Sequence, residues 1–281
     1  MVRILSDSTC DLSPELIKKY DIGIIPLHVY LGNDEYLDGV NIQTEKIYQW
    51  SNSTGSTPKT SAPTPEEVET VFKKHLDNGD DLVVFTISSL MSASNNVCRL
   101  AVESLNASDR IVVIDSANLS TGISLLVLEA AEMAHEGKDI KTIESEILKL
   151  RPKVRSSFII DTLVFLHRGG RCSGLAAMFG SVLKLHPRIV VEDGSMHSDR
   201  KYRGNLEKVI LKYTEELFPL LQLAKPKRVF ITHSECPEPI VSKVKGLLES
   251  LNHFKEVLVT KAGCVVSSHC GPGTLGVLYI E

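Results

Sequence analysis

The six cysteines of this 281-residue chain, at positions 10, 98, 172, 236, 264 and 270, include no CxxC pair. Dispersed thiols without an export signal read as reduced and cytoplasmic. The N-terminal MVRILSDSTCDLS meets polar residues too soon for a secretory signal, and no apolar run approaches the length of a bilayer span. No charge of one sign dominates. The 31 Lys and Arg face 35 Asp and Glu, and a net −4 argues for neither nucleic acid nor an anionic membrane as partner. There is no GxSxG elbow, which weakens a serine-hydrolase reading, and no GK[ST] ending, which removes a Walker-type phosphate loop. Repeats, low-complexity tracts and long linkers are missing too. What is there is a chain of ordinary composition, 43% apolar and 23% charged, long enough for one large or two medium domains.

The first half alternates short apolar runs with helix patterns. VRILS (2–6), IGIIPLHVYL (22–31), DLVVFTIS (81–88) and RIVVIDS (110–116) read as strands, the last two as buried parallel ones. Ser13-Pro14 opens a helix as N-cap and N1. Thr64, Pro65 and Glu67 form a capping box before a helix that ends at Gly79. The strand–helix order predicts a Rossmann-like, mainly parallel sheet in a domain over residues 1–160. The second half has longer spacings and a hairpin signal at Gly194. It predicts a mixed-sheet α+β domain over 161–281. The apolar stretch LAAMFGSVLKL (175–185) fits either a core helix or the wall of a tunnel.

Four polar turns follow strands of the first half: DSTCD (7–11), TPKTSAPTP (57–65), SLMSAS (89–94) and SANLST (116–121). In an open α/β sheet such turns gather at one edge, where ligands bind. Each alone also reads as ordinary turn and cap chemistry. Together they offer mainly hydroxyls and backbone amides, with Lys59 their one basic side chain, which suits an oxyanion held by hydrogen bonds and supplies no general base. Basic groups come later, as Arg168 and Arg171 around two glycines in RGGR, and Arg200 and Arg203 in SDRKYRG; solvated surface is the plainer reading. His233 follows a strand and reads as core as easily as site. In SSHCGPGTLG (267–276) a Gly-Pro-Gly turn holds His269 in place. Cys264, His269 and Cys270 have poor spacing for a metal, and no metal site is expected.

Six stretches in order, DSTCDL (7–12), TSAPTP (60–65), SSLMSAS (88–94), DSANLSTG (115–122), HRGGRCSG (167–174) and HCGPGTLG (269–276), resemble the DegV family of bacterial lipid-binding proteins across essentially the whole chain. The resemblance implies two α/β domains with a long-chain fatty acid buried between them. It implies a carboxylate at Thr60, Ser61, Ser92 and the Ala93 amide, with His269 beside it. Some members present the carboxylate to a separate ATP-dependent fatty acid kinase, which makes acyl phosphate for phospholipid synthesis. The basic residues tied to that step match Arg171 and Arg203. ATP and Mg²⁺ would then belong to the kinase, and this chain would carry no cofactor and no catalytic residue.

The chain departs from the family pattern at three places. Ala93 replaces a usual glycine, which questions any positive φ there. Arg168 replaces a lysine, and His186-Pro187 replaces Lys-Pro. The alternative reading is a stand-alone acyl or phosphoryl hydrolase or transferase with Ser92 as nucleophile and His269 as base. A purely regulatory protein is a third.

Overall fold

The computed structural model describes residues 1–173 and 185–281. All but the last residue of the apolar stretch 175–185 therefore lies outside the described residues. The chain runs β1 (Val2–Asp7), a 3-10 turn (Ser8–Cys10), α1 (Pro14–Tyr20), β2 (Gly23–Ile25), β3 (His28–Leu31), β4 (Asp34–Leu37), α2 (Thr44–Thr54) and β5 (Lys59–Ser61). It continues through α3 (Pro65–Asp77), β6 (Asp81–Thr86), α4 (Ser94–Ser104), β7 (Ile111–Asp115), α5 (Thr121–His135) and α6 (Ile140–Leu150). Then come β8 (Val154–Ile159), α7 (Leu163–Gly169), β9 (Cys172–Ser173), β10 (Leu185–Glu192), β11 (Ser195–Arg203), α8 (Leu206–Glu216) and α9 (Phe218–Leu221). The last elements are β12 (Arg228–Ser234), α10 (Glu238–Ser250), β13 (Glu256–Lys261), α11 (Cys264–Cys270) and β14 (Thr274–Ile280).

Local chemistry sets many of these boundaries. Ser13 Oγ accepts the Leu16 N–H and caps α1, and Thr64 with Glu67 forms the reciprocal capping box of α3. β10 and β11 close on Asp193 and Gly194, both at positive φ, as a tight antiparallel hairpin requires. The run 22–31, expected as one apolar segment, divides at Pro26. Proline has no N–H for a ladder, so β2 pairs with β1 while β3 turns away into a small antiparallel sheet of order β4-β3-β5.

The four-stranded sheet β2-β1-β6-β7 is wholly parallel. The seven-stranded sheet β13-β12-β14-β8-β10-β11-β9 is mixed. This is the α/β architecture of a parallel sheet and a mixed sheet that the sequence predicts. Between the sheets lies α5, buried at every position from Thr121 to Ala131. A helix apolar all round needs cover all round. It has Ile4, Val83 and Phe85 of the parallel sheet, and Phe158, Phe230 and Leu278 of the mixed one, in the same core cluster. At its far end Glu129 and Glu132 meet Lys225, Lys227 and Arg228, whose side chain is only 3% exposed. Among the described residues no helix is long and apolar enough to cross a membrane.

Candidate ligand cavity between the sheets

The carboxyl ends of β1, β6 and β7 lie side by side because the sheet is parallel, and β5 brings Thr60 and Ser61 to the same region. A cavity of about 300 Å³ opens there. Its polar wall is made by Thr60, Ser61, Ser92, Arg171 and His269, and Ala93 lines it too. The rest is apolar, with Leu27, Ile87, Met91, Leu119, Met196 and Val266 among its lining. Arg203 is not part of it; it ends β11 on the exposed surface, opposite Leu185 of β10.

Ser92 sits in the turn between β6 and α4. Met91 and Ser92 donate their N–H groups to the Ser88 carbonyl at 2.9 and 3.1 Å, and Ser88 Oγ donates to the Gly194 carbonyl at 2.7 Å. The turn is thus anchored on the β10–β11 hairpin. Ser92 Oγ lies 2.9 Å from Ser94 Oγ and accepts the Ser94 N–H at 3.3 Å. Ala93 is the N-cap of α4 at φ −75°. That is ordinary backbone for any L residue, so the alanine in place of glycine brings no strain.

His269 occupies the last turn of α11, and Gly271 at φ 78° and Gly273 at φ 76° turn the chain sharply after it. Its Nε2 is 2.7 Å from Thr60 Oγ1, while its Nδ1 is buried without a partner among the described residues. Burial, and secondarily the Arg171 charge, pull its pKa down to about 4. The ring is neutral at ordinary pH. Arg171 reaches across the cavity edge, with Nε 3.4 Å from the Met91 carbonyl and NH1 2.6 Å from the Gly169 carbonyl.

The start of α11 is held by carboxylates from the first half. Asp11 Oδ1 accepts the Gly263 N–H and Asp38 Oδ1 the Cys264 N–H, each at 2.7 Å. Ser120 Oγ donates to Asp11 at 2.5 Å and Ser8 Oγ to Asp38 at 2.9 Å. Desolvation raises the pKa of Asp11 and of Asp38, and pushes Asp7 up to about 6 although Ile87 and Thr9 donate to it. The four polar turns therefore do converge, but with divided roles. The stretch expected as a turn at 57–65 is partly strand β5, which with the turn after β6 presents hydroxyls to the cavity. The turns after β1 and β7 use theirs on internal carboxylates and amides, and only Leu119 from the β7 turn reaches the cavity wall.

The remaining sequence candidates have structural surroundings. Arg200 pairs with Glu216 at 2.6 Å and Arg168 donates to the Gly55 carbonyl at 2.9 Å. His186 is buried between the Ile160 and Gly204 carbonyls, at 3.3 and 3.1 Å, and ties β10 to the ends of its neighbours. His233 is buried on β12, and burial lowers its pKa. No disulfide links the six cysteines, and among the described residues no cluster of three or more His, Cys, Asp or Glu is placed to hold a metal. The apolar lining escaped the sequence reading. Nothing in the spacing of Leu27, Ile87, Met91 or Met196 separates a cavity wall from packed core.

Fold and cavity together describe an α/β protein with a largely apolar cavity between a parallel and a mixed sheet. The chain belongs to the DegV family. The family's model, described as "Uncharacterised protein, DegV family", matches residues 1–281. A DegV domain-containing protein of Clostridium perfringens is 34% identical over 280 residues, covering 100% of this chain and 98% of that one. Among solved structures, a DegV family protein from Thermus thermophilus described as fatty acid binding superimposes with a TM-score of 0.90 at 27% identity, covering 100% and 99% of the two chains. A stearic acid-binding protein from Eubacterium ventriosum gives 0.84 at 28% identity, covering 100% and 98%.

Proposed function

We propose that this protein binds a long-chain fatty acid in the cavity between its sheets and presents the carboxylate, in the cytoplasm, to a separate ATP-dependent fatty acid kinase. The observation that carries the reading is one largely apolar cavity whose lining also brings together Thr60, Ser61, Ser92, Ala93 and His269, residues far apart in sequence. The fatty-acid-binding relatives of the same fold support it.

A carboxylate entering this cavity loses water and needs replacement donors. The Thr60 and Ser92 hydroxyls and the Ala93 amide supply them, and each hydrogen bond to the charged acceptor contributes about 1.5–3 kcal/mol. The N-terminus of α4 at Ala93 adds a favourable dipole. His269, being neutral, acts by hydrogen bonding rather than as a counter-charge. Arg171 provides the positive charge nearest the headgroup and suits the developing acyl phosphate. Arg203, outside the cavity, suits contact with the kinase. The chain itself then needs no nucleotide, metal or catalytic residue.

The hydrolase reading needs Ser92 hydrogen-bonded to His269. Instead Nε2 of the histidine meets Thr60, Nδ1 has no partner among the described residues and Ser92 turns to Ser94. Native mass spectrometry of gently purified protein tests the proposal. One fatty acid per chain is the expected result. A chain that stays empty after incubation with oleate or palmitate overturns it.

A further inference from the structure

The two glycines of RGGR are not equivalent. Gly170 follows α7 at φ 67° and returns its N–H to the His167 carbonyl at 3.2 Å. A Cβ built on it meets nothing within 4 Å, so its need for glycine is conformational. Gly169 is the last residue of α7 and has no positive φ, so an alanine there would be a better helix former. Yet a Cβ built on Gly169 would overlap His269 Nδ1 and lie 3.3 Å from both Cε1 and Cγ of the ring. Its need for glycine is the space the imidazole occupies.

The same contact bears on the tautomer. The Gly169 hydrogen lying in the Cβ direction points at Nδ1, which is buried and has no hydrogen-bond partner among the described residues. A proton on Nδ1 would face that hydrogen with no acceptor, whereas a lone pair there faces a weak C–H donor. Buried acceptors left short of partners are also better tolerated than orphaned N–H groups. Arg171 braces the glycine, because its NH1 donates to the Gly169 carbonyl and its Nε reaches the Met91 carbonyl next to Ser92.

We infer that Gly169 is a positioning residue for the headgroup end of the cavity. It seats the imidazole against Thr60 and keeps the proton on Nε2. Nε2–H then donates to Thr60 Oγ1, and the Thr60 hydroxyl hydrogen is left to point at the ligand. The ligand in this inference rests on the lipid reading above, but the seat of the ring does not.

The test compares Gly169→Ala with Gly170→Ala by thermal unfolding and by oleate displacement of a fluorescent fatty acid. Gly169→Ala should lower Tm, because the added Cβ must displace a buried ring, and bind oleate about tenfold more weakly. Gly170→Ala should lower Tm and leave oleate affinity within about threefold of wild type. The double variant Gly169→Ala/His269→Ala should bind no more weakly than His269→Ala alone, because the collision needs the ring. The Tm that Gly169→Ala loses through that collision should return in the double variant. Long-range ¹H–¹⁵N spectra of the wild type should show His269 protonated at Nε2 and bare at Nδ1. Wild-type affinity in Gly169→Ala, multiplicative losses in the double variant, or a protonated Nδ1 each overturn the inference. A wild type that takes up no oleate overturns the lipid reading instead, while the spectra and the thermal arm still decide the seat.

Discussion

The turn after β1 and the turn after β6 both carry hydroxyls and put them to opposite uses. After β1, Ser8 donates to Asp38, Thr9 to Asp7, and Asp11 gathers the Ser120 hydroxyl and the Gly263 amide. Those polar groups satisfy one another and fasten α11 to the first half. After β6, Ser92 and Ala93 line an apolar cavity with Thr60 and His269 opposite. A polar turn is thus a clamp where its groups are paired across elements, and on the proposed reading a ligand site where they line an apolar cavity.

This contrast can be broken at several points. The largest effect is expected from Asp11→Ala, which leaves the Ser120 hydroxyl and the Gly263 amide without their acceptor. Urea unfolding should show a loss of about 2–4 kcal/mol, since each orphaned buried donor costs about 1–3 kcal/mol. Ser92→Ala should do the reverse. Its unfolding free energy should fall by less, about 1 kcal/mol, for the lost Ser94 contacts, while oleate affinity drops by about 1.5–3 kcal/mol. Equal stability losses in the two variants would erase the distinction.

The two regions should also answer pH with opposite sign. Asp7, raised to about 6, is held protonated by the fold, so its contribution is complete below about pH 4 and is lost as pH rises through about 6. His269, lowered to about 4, is held neutral, so its contribution is complete above about pH 6.5 and is lost as pH falls through about 4. Tm measured across this range should change slope in opposite directions in Asp7→Asn and His269→Asn. The smallest effect is expected from Ala93→Gly. Because Ala93 already has φ −75°, restoring the glycine should alter stability by no more than about 0.5 kcal/mol. Oleate affinity, measured alongside, should stay within about twofold of wild type.

Much of the fold was legible beforehand because its signals are local. Caps at Ser13 and Thr64, the apolar runs of β6 and β7, and the Gly194 hairpin each depend on a few neighbouring residues. The break at Pro26 was missed, although a proline inside an apparent strand is itself a signal. The hydroxyls of DSTCD and SANLST were harder. Their sequence suits a clamp and a ligand site equally, and only their partners, tens to hundreds of residues away, separate the two. His186, which departs from the family's lysine, turns out to be enclosed by backbone carbonyls, a role that its neighbours in sequence do not reveal.

By itself the sequence determined the alternation of strands and helices, the parallel sheet followed by a mixed one, and the kinship carried by six ordered motifs. The tertiary structure alone decided which polar groups face the cavity. Thr60 and His269 lie 209 positions apart and meet across 2.7 Å. Ser92 reaches the same wall from the end of a different strand, and Gly169 makes room for the ring from the end of α7. Local propensity acts over a few residues of chain. A cavity arises where distant elements pack around space they do not fill, and that is a property of the packed whole.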